Sequence, residues 1–132
     1  KTVVITGGEP LKFNLDFLCS KLNENGIKTH LETSVANKMS GFWDWICISP
    51  KIENKYLLEN LKKANELKVI ITGEEDFKWA EYNSCKVSDD CFLYLQPEWS
   101  RRKELIPLII DYILLNPKWK ISVQLHKFLH IS

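Results

Sequence analysis

Residues 2–10 read TVVITGGEP, a strand-like run followed by two glycines, a carboxylate and a proline. The first five residues are β-branched, which predicts a buried strand. Glycine has no Cβ, so Gly7 and Gly8 suit either a plain turn or a backbone that comes close to a ligand. These four residues alone do not distinguish the turn from the ligand-binding backbone, so the remaining sequence is needed.

The composition is that of one ordinary globular domain covering residues 1–132, with 45% hydrophobic and 27% charged residues. A formal net charge of +1 gives no electrostatic reason to expect binding to nucleic acid or to an acidic membrane. The longest apolar run, residues 105–115, is interrupted by Pro107 and Asp111, so no membrane span is predicted. We expect a cytoplasmic protein.

The four cysteines do not form a metal or disulfide pattern. Cys19 and Cys47 lie in apolar segments, where cysteine behaves as a small hydrophobe. Cys85 and Cys91 are close enough in sequence to pair, and this question stays open. No spacing suggests a zinc site, and a reducing compartment fits best.

Apolar periodicity predicts strands that alternate with helices, the pattern of a parallel α/β sheet. The predicted strands are 2–6, 27–32, 43–48, 67–71, 91–95 and 120–124. The predicted helices are 13–25, 54–65, 74–83 and 102–115. Residues 33–42 show no helical face, so that connection is predicted to be a loop.

Polar residues follow every predicted strand. Because parallel α/β folds place ligand sites at the carboxyl ends of their strands, these residues predict a polar site at one rim of the sheet. Loops are polar in any protein, so a single strand end is also compatible with plain solvation. The residues in question are Gly7, Gly8, Glu9, Glu32, Ser34, Ser49, Lys51, Gln96, Gln124 and His126.

The motifs are specific enough to suggest a family. GGEP at 7–10 resembles the second-strand motif of radical S-adenosylmethionine (SAM) enzymes. The whole chain is similar to the 7-carboxy-7-deazaguanine synthase family. The similar segments are LETS at 31–34, DWICISPK at 44–51, ELKVII at 66–71, YLQPE at 94–98 and NPKWKISVQLHKFLHI at 116–131.

The resemblance implies a fold and a reaction. The fold would be a partial barrel of about six parallel strands with reduced helices, lacking its first strand–helix unit. The reaction would convert 6-carboxy-5,6,7,8-tetrahydropterin to 7-carboxy-7-deazaguanine and ammonia, on the path to queuosine. SAM, a [4Fe–4S] cluster and Mg²⁺ would serve as cofactors, and the enzyme would be a homodimer.

The sequence departs from this family at the cluster. The C-x3-C-x2-C motif is absent, and the four cysteines are 28, 38 and 6 residues apart. Clusters of this kind need cysteine thiolates as ligands. We therefore expect the chain to be the C-terminal portion of the enzyme, inactive alone and without metal ligands of its own.

The resemblance also implies roles for the polar rim, although no residue is assigned to the chemical step itself. The SAM-binding residues would be Gly7, Gly8, Glu9, Glu32, Ser34, Ser49, Lys51 and Gln96. The pterin-binding residues would be Thr6, Gly8, Gln124 and His126. Among these, Glu32 would accept hydrogen bonds from ribose hydroxyls, and Gln124 would match the donors and acceptors of a pterin edge.

Two further functions compete with the radical SAM enzyme. One is a non-catalytic module that binds SAM or the pterin and has lost the cluster. The other is an ordinary α/β hydrolase or transferase, which the absence of Gly-x-Ser-x-Gly, Walker and dinucleotide motifs disfavours.

Overall fold

The computed structural model describes residues 1–52 and 58–131, which build on one all-parallel sheet. Every neighbouring strand pair is parallel, and the strands follow one another in chain order. The predicted α/β fold with six parallel strands is confirmed. The strands are β1 (Thr2–Ile5), β2 (Lys28–Thr33), β3 (Trp45–Ile48), β4 (Glu66–Ile71), β5 (Phe92–Pro97) and β6 (Trp119–Ile121).

Within the described residues, four helices and one 3₁₀ turn lie between the strands, and a fifth helix follows the last strand. They are the turn at Pro10–Lys12, α1 (Asp16–Glu24), α2 (Leu58–Leu61), α3 (Asp76–Ser84), α4 (Arg102–Leu115) and α5 (Leu125–Phe128). Residues 34–44 contain no helix, as predicted. Residues 53–57 of the predicted helix 54–65 lie outside the described residues. No described helix is long and apolar enough to cross a membrane.

The end of the chain differs from the prediction. The prediction that the sixth strand reaches Gln124 was wrong, because β6 ends at Ile121. The Ser122 N–H still donates to the Leu95 carbonyl at 2.8 Å, but the Leu125 N–H donates to the Val123 carbonyl instead of to a neighbouring strand. The chain therefore leaves the sheet at this point and forms α5, which was not predicted.

The two faces of the sheet differ sharply in chemistry, because successive strand residues point to opposite faces. The face that packs on the helices is apolar and at most 1% exposed; it includes Leu31, Ile48, Leu67, Val69, Ile71 and Leu95. The opposite face carries half-buried or buried polar groups: His30, Glu32, Cys47, Glu66, Lys68, Tyr94 and Gln96. This polar face positions the candidate site.

Glu81 of α3 links the β6 edge of the sheet to α3 and α4. Its carboxylate accepts hydrogen bonds from Tyr112 Oη at 2.8 Å, Trp119 Nε1 at 2.7 Å and Lys118 Nζ at 2.5 Å. Trp119 is 1% exposed, so its indole N–H has no access to water. Burial alone would raise the pKa of Glu81, but the hydrogen bonds from Lys118, Trp119 and Tyr112 outweigh it and lower this pKa.

Replacing Glu81 by Ala is expected to lower the free energy of unfolding by about 1–3 kcal/mol, because the buried Trp119 donor loses its partner. Since the pKa of Glu81 is lowered in the fold, its stabilisation is full above the ordinary value of 4.5 and is lost as the pH falls through the folded value. The acid-induced drop in melting temperature should therefore be smaller in the variant. Asp111→Ala, at an exposed carboxylate on α4, is the control; an equal loss there would contradict the assignment.

Candidate functional site

Four of the predicted site residues line one cavity at the carboxyl end of the polar face. Glu32 comes from β2 and Gln96 from β5, while Gln124 and His126 come from the segment after β6. The cavity has a volume of about 300 Å³, and its remaining lining residues are Lys68, Ser122, Val123 and Leu125. We call it the rim cavity. Residues distant in sequence therefore meet at the rim, as the parallel pattern predicted.

Lys68 supplies the positive charge of the rim cavity. It lies in the middle of β4, and its Nζ donates to Glu32 Oε1 in a close ion pair. Burial disfavours the charged amine, but the hydrogen bond and charge of the Glu32 carboxylate, with the charge of Glu66, outweigh burial and raise the pKa of Lys68. Glu32 Oε2 has no hydrogen-bond partner among the described residues, which leaves one carboxylate oxygen for a ligand.

Ser49 and Lys51 line a second cavity of about 350 Å³ beside the rim cavity. Ile70 also lines it, and the strand partner of Ile70 is Gln96 of the rim cavity. Ser49 is half-buried and Lys51 is exposed. The structure thus places these two predicted residues at the same rim, with β4 between them and Gln96.

Glu9 joins the ends of β1 and β2. Its carboxylate accepts from the Leu11 N–H at 3.2 Å, the Ser34 N–H at 2.8 Å, the Thr33 hydroxyl at 2.5 Å and the Ser34 hydroxyl. Burial would raise the pKa of Glu9, but the hydrogen bonds from Ser34 and Thr33 outweigh it and lower this pKa. The Ser34 hydroxyl donates its proton to Glu9, so toward a ligand Ser34 acts as an acceptor.

Thr6, Gly7 and Gly8 form the exposed turn that follows β1. Gly7 has φ +88° and Gly8 has φ +55°, conformations that side chains with a Cβ rarely adopt. A Cβ on either residue would meet nothing within 4 Å, so open space borders this backbone. The glycines are therefore required by the turn itself, and their predicted contact with a ligand stays a prediction.

The predicted pterin-binding residues are divided between the two edges of the sheet. Thr6 and Gly8 follow β1, whereas Gln124 and His126 follow β6, and four strands lie between. The structure brings Gln124 and His126 into the rim cavity and leaves Thr6 and Gly8 outside its lining. A common ligand for all four requires the sheet to curl, as twisted parallel sheets do.

Sequence reasoning missed Lys68 and Ser122. The signal for Lys68 is in ELKVII at 66–71, where Leu67, Val69 and Ile71 alternate with Glu66, Lys68 and Ile70. This alternation places a lysine on the face opposite the core, in line with the residues of the polar rim. Ser122 has no comparable signal, because it follows directly on a three-residue strand.

The cysteines do not provide an iron–sulfur site. Cys19, Cys47 and Cys91 are buried and Cys85 is exposed, and all four are free thiols. Burial raises the pKa of the Cys19 and Cys47 thiols and that of Cys91 to about 11, which disfavours the thiolates a cluster needs. Within residues 1–52 and 58–131, no three His, Cys, Asp or Glu side chains are grouped to hold a metal ion.

The fold and the rim define the class of protein: a parallel α/β sheet in sequential strand order, with a polar cavity at the carboxyl ends of its strands. Sequence and structure comparisons identify the family within this class. The chain belongs to the 7-carboxy-7-deazaguanine synthase family. No protein-family model matches it.

The relatives are similar along nearly the whole chain. It is 45% identical to the 7-carboxy-7-deazaguanine synthase of Flavobacterium psychrophilum, over 99% of this chain and 62% of the relative. It is 46% identical to that of Synechocystis, over 98% of this chain and 62% of the relative. It is 37% identical to that of Prochlorococcus marinus, over 98% of this chain and 67% of the relative. The chain thus spans about 62% of the length of the first two relatives.

Comparison with a solved structure agrees with the sequence comparison. The crystal structure of QueE from Escherichia coli superimposes with a TM-score of 0.82 at 28% identity, covering 93% of this chain and 56% of that one.

The Lys68–Glu32 pair should be energetically coupled. Lys68→Met is expected to lower the free energy of unfolding by about 1–3 kcal/mol, because it leaves a half-buried carboxylate without its charged donor. In a double-mutant cycle with Glu32→Gln, chemical denaturation should show a coupling energy of about 1 kcal/mol. Lys78→Met, which breaks the exposed pair with Glu75, should change nothing measurable. Strictly additive effects at Lys68 and Glu32 would refute the coupling.

Proposed function

We propose that the protein is a radical SAM lyase that converts 6-carboxy-5,6,7,8-tetrahydropterin to 7-carboxy-7-deazaguanine with release of ammonia, in queuosine and 7-deazapurine biosynthesis. Membership of the synthase family supports the proposal. The observation that carries it is the rim cavity, which Glu32, Gln96 and His126 line together with Lys68 from the middle of β4. A charged, nitrogen-rich substrate needs this mixture of charge and hydrogen-bonding groups.

The pterin and SAM would be held by different parts of the rim. Gln124 offers both a donor and an acceptor to the pterin edge, and His126 would hold the substrate carboxylate. Thr6 and Gly8 would close the site from the β1 edge. Around SAM, Glu32 would accept from the ribose hydroxyls through Oε2, while Lys68 keeps Oε1 occupied.

The remaining proposed SAM contacts lie on either side of Glu32. Lys51 is an exposed point charge suited to a carboxylate, and Ser49 lines the same cavity. The backbone of Gly7 and Gly8 would approach the methionine part of SAM. Glu9 and Ser34 act mainly by fixing this loop, since most of their hydrogen-bonding capacity is used on each other and on Thr33.

SAM, cleaved at a [4Fe–4S] cluster, would supply the radical that takes a hydrogen atom from the substrate. The described residues of this chain do not fit such a cluster, so we assign them no part in holding it. The cluster ligands of the proposed enzyme must come from other residues, and the same holds for Mg²⁺. The further expectations are a homodimer, testable by analytical ultracentrifugation, and a cytoplasmic location.

The test is turnover by the protein expressed from its complete reading frame and reconstituted with iron and sulfide under anaerobic conditions. Mass spectrometry should detect 7-carboxy-7-deazaguanine formed from the tetrahydropterin in the presence of SAM. SAM binding seen by calorimetry without turnover, in protein whose cluster absorbs normally, would refute the enzyme and favour a binding module. Turnover by residues 1–132 alone would show that the cluster ligands lie in this chain after all.

Glu32→Gln should raise the SAM dissociation constant about tenfold, because a neutral amide loses the charge-assisted hydrogen bonds to the ribose. Isothermal titration calorimetry measures this directly. Glu24→Gln removes a carboxylate on α1 that pairs with Lys21 and should bind SAM like the unaltered protein. Unchanged SAM affinity in Glu32→Gln would remove Glu32 from the proposed SAM site.

A further inference from the structure

Two aromatic rings and two cations meet just outside the rim cavity. The Trp99 and Phe128 rings pack edge to face with their centroids 5.0 Å apart. The Arg102 guanidinium lies 4.1 Å from the Trp99 centroid and 5.9 Å from the Phe128 centroid, and Lys127 Nζ lies 5.1 Å from the Trp99 centroid. We call these four residues the clasp.

The geometry of the clasp is attractive for each of its members. Edge-to-face packing places the positive edge of one ring on the negative face of the other, and cations above an indole are attracted by the same charge distribution. Arg102 is also held in place, because its Nη1 donates to the Trp99 carbonyl at 2.9 Å. Trp99 and Arg102 therefore form a fixed platform on the β5–α4 side.

Little else in the structure fastens α5. Among the described residues, all hydrogen bonds of segment 123–131 run within the segment itself. None of the four helical residues is buried, and Leu125 and Leu129 are 58% and 57% exposed. The side chains of Lys127 and Phe128 thus provide the visible attachment of α5 to the β5–α4 connection.

The two segments joined by the clasp also carry opposite parts of the rim cavity. Gln96 lies three residues before Trp99, and His126 lies two residues before Phe128. Among the described residues, the last hydrogen bond from this end of the chain to the sheet is that of Ser122 with Leu95, so beyond it the contact of Phe128 with Trp99 holds His126 at the cavity. The distance between the cavity walls therefore depends on the clasp.

We propose that Trp99 and Arg102 are positioning residues that dock Phe128 and Lys127 and so hold Gln124 and His126 against the ligand in the rim cavity. This proposal rests on the proposed function only for the identity of the ligand. The docking itself is a property of the chain. Opening the clasp would move α5 away and enlarge the cavity, so α5 acts as a fastened wall that can be released.

The experiment uses Trp99→Leu and Arg102→Gln in the protein expressed from its complete reading frame. Trypsin cleavage after Lys127 reports whether α5 is docked, independently of activity. We expect both variants to be cleaved about three to ten times faster, from the ordinary strength of aromatic and cation–π pairs. In turnover assays, KM for the pterin should rise by a similar factor while kcat at saturation changes little, and the SAM dissociation constant should stay the same.

Conservative and control variants make the result specific. Trp99→Phe keeps a ring under Arg102 and should recover most of the slow cleavage. Lys103→Gln removes a neighbouring exposed charge on α4, and Leu129→Ala shortens an exposed side chain next to Phe128; both should behave like the unaltered protein. Unchanged cleavage in Trp99→Leu and Arg102→Gln, or equal effects in the controls, would overturn the clasp.

The two proposals fail in different ways. Absence of turnover in the unaltered protein would defeat the proposed function, while the cleavage rates would still test the clasp. Normal turnover with cleavage that is insensitive to Trp99 and Arg102 would defeat the clasp alone.

Discussion

Strand alternation in a parallel sheet is the constraint on which this structure depends. Parallel pairing fixes the register of all six strands. Along each strand, side chains therefore point alternately toward the helices and toward the opposite face of the sheet. Parallel sheets are normally apolar on both faces because helices cover both. Here the second face carries Glu32, Lys68 and Gln96, and such groups are stable there only when they pair with one another or with a ligand. On this face, the polar groups of the candidate site therefore occupy the position that a second layer of helices occupies in most parallel sheets.

The architecture could be predicted from sequence because its signals are local. Short β-branched runs separated by helical periodicity indicate a parallel α/β sheet, and the strand ends indicate the rim. The prediction named Glu32, Gln96, Gln124 and His126, which line the rim cavity, because polar residues at the end of a strand stand out in a sequence. It missed Lys68 because a lysine inside an apolar run is indistinguishable from a solvated one until the face of the strand is known.

Other features depend on contacts that sequence does not display. The hydroxyl of Ser34 is directed to Glu9, a residue 25 positions earlier, and only the β1–β2 pairing brings them together. The secondary structure of the residues after β6 likewise follows from tertiary contacts. The apolar residues around Gln124 suit a strand or a helix, and the departure of the chain from β5 after Ser122 selects the helix. The family resemblance, which the comparisons confirmed, could not supply either detail.

The sequential order of the strands has a consequence for synthesis. Each strand pairs with the one made just before it, so a strand leaving the ribosome finds its partner already present and the sheet can grow in the direction of translation. The rim cavity cannot form in this way step by step, because its wall includes residues 122–126. A nascent chain can therefore pair its strands before the residues that complete the rim cavity have been made.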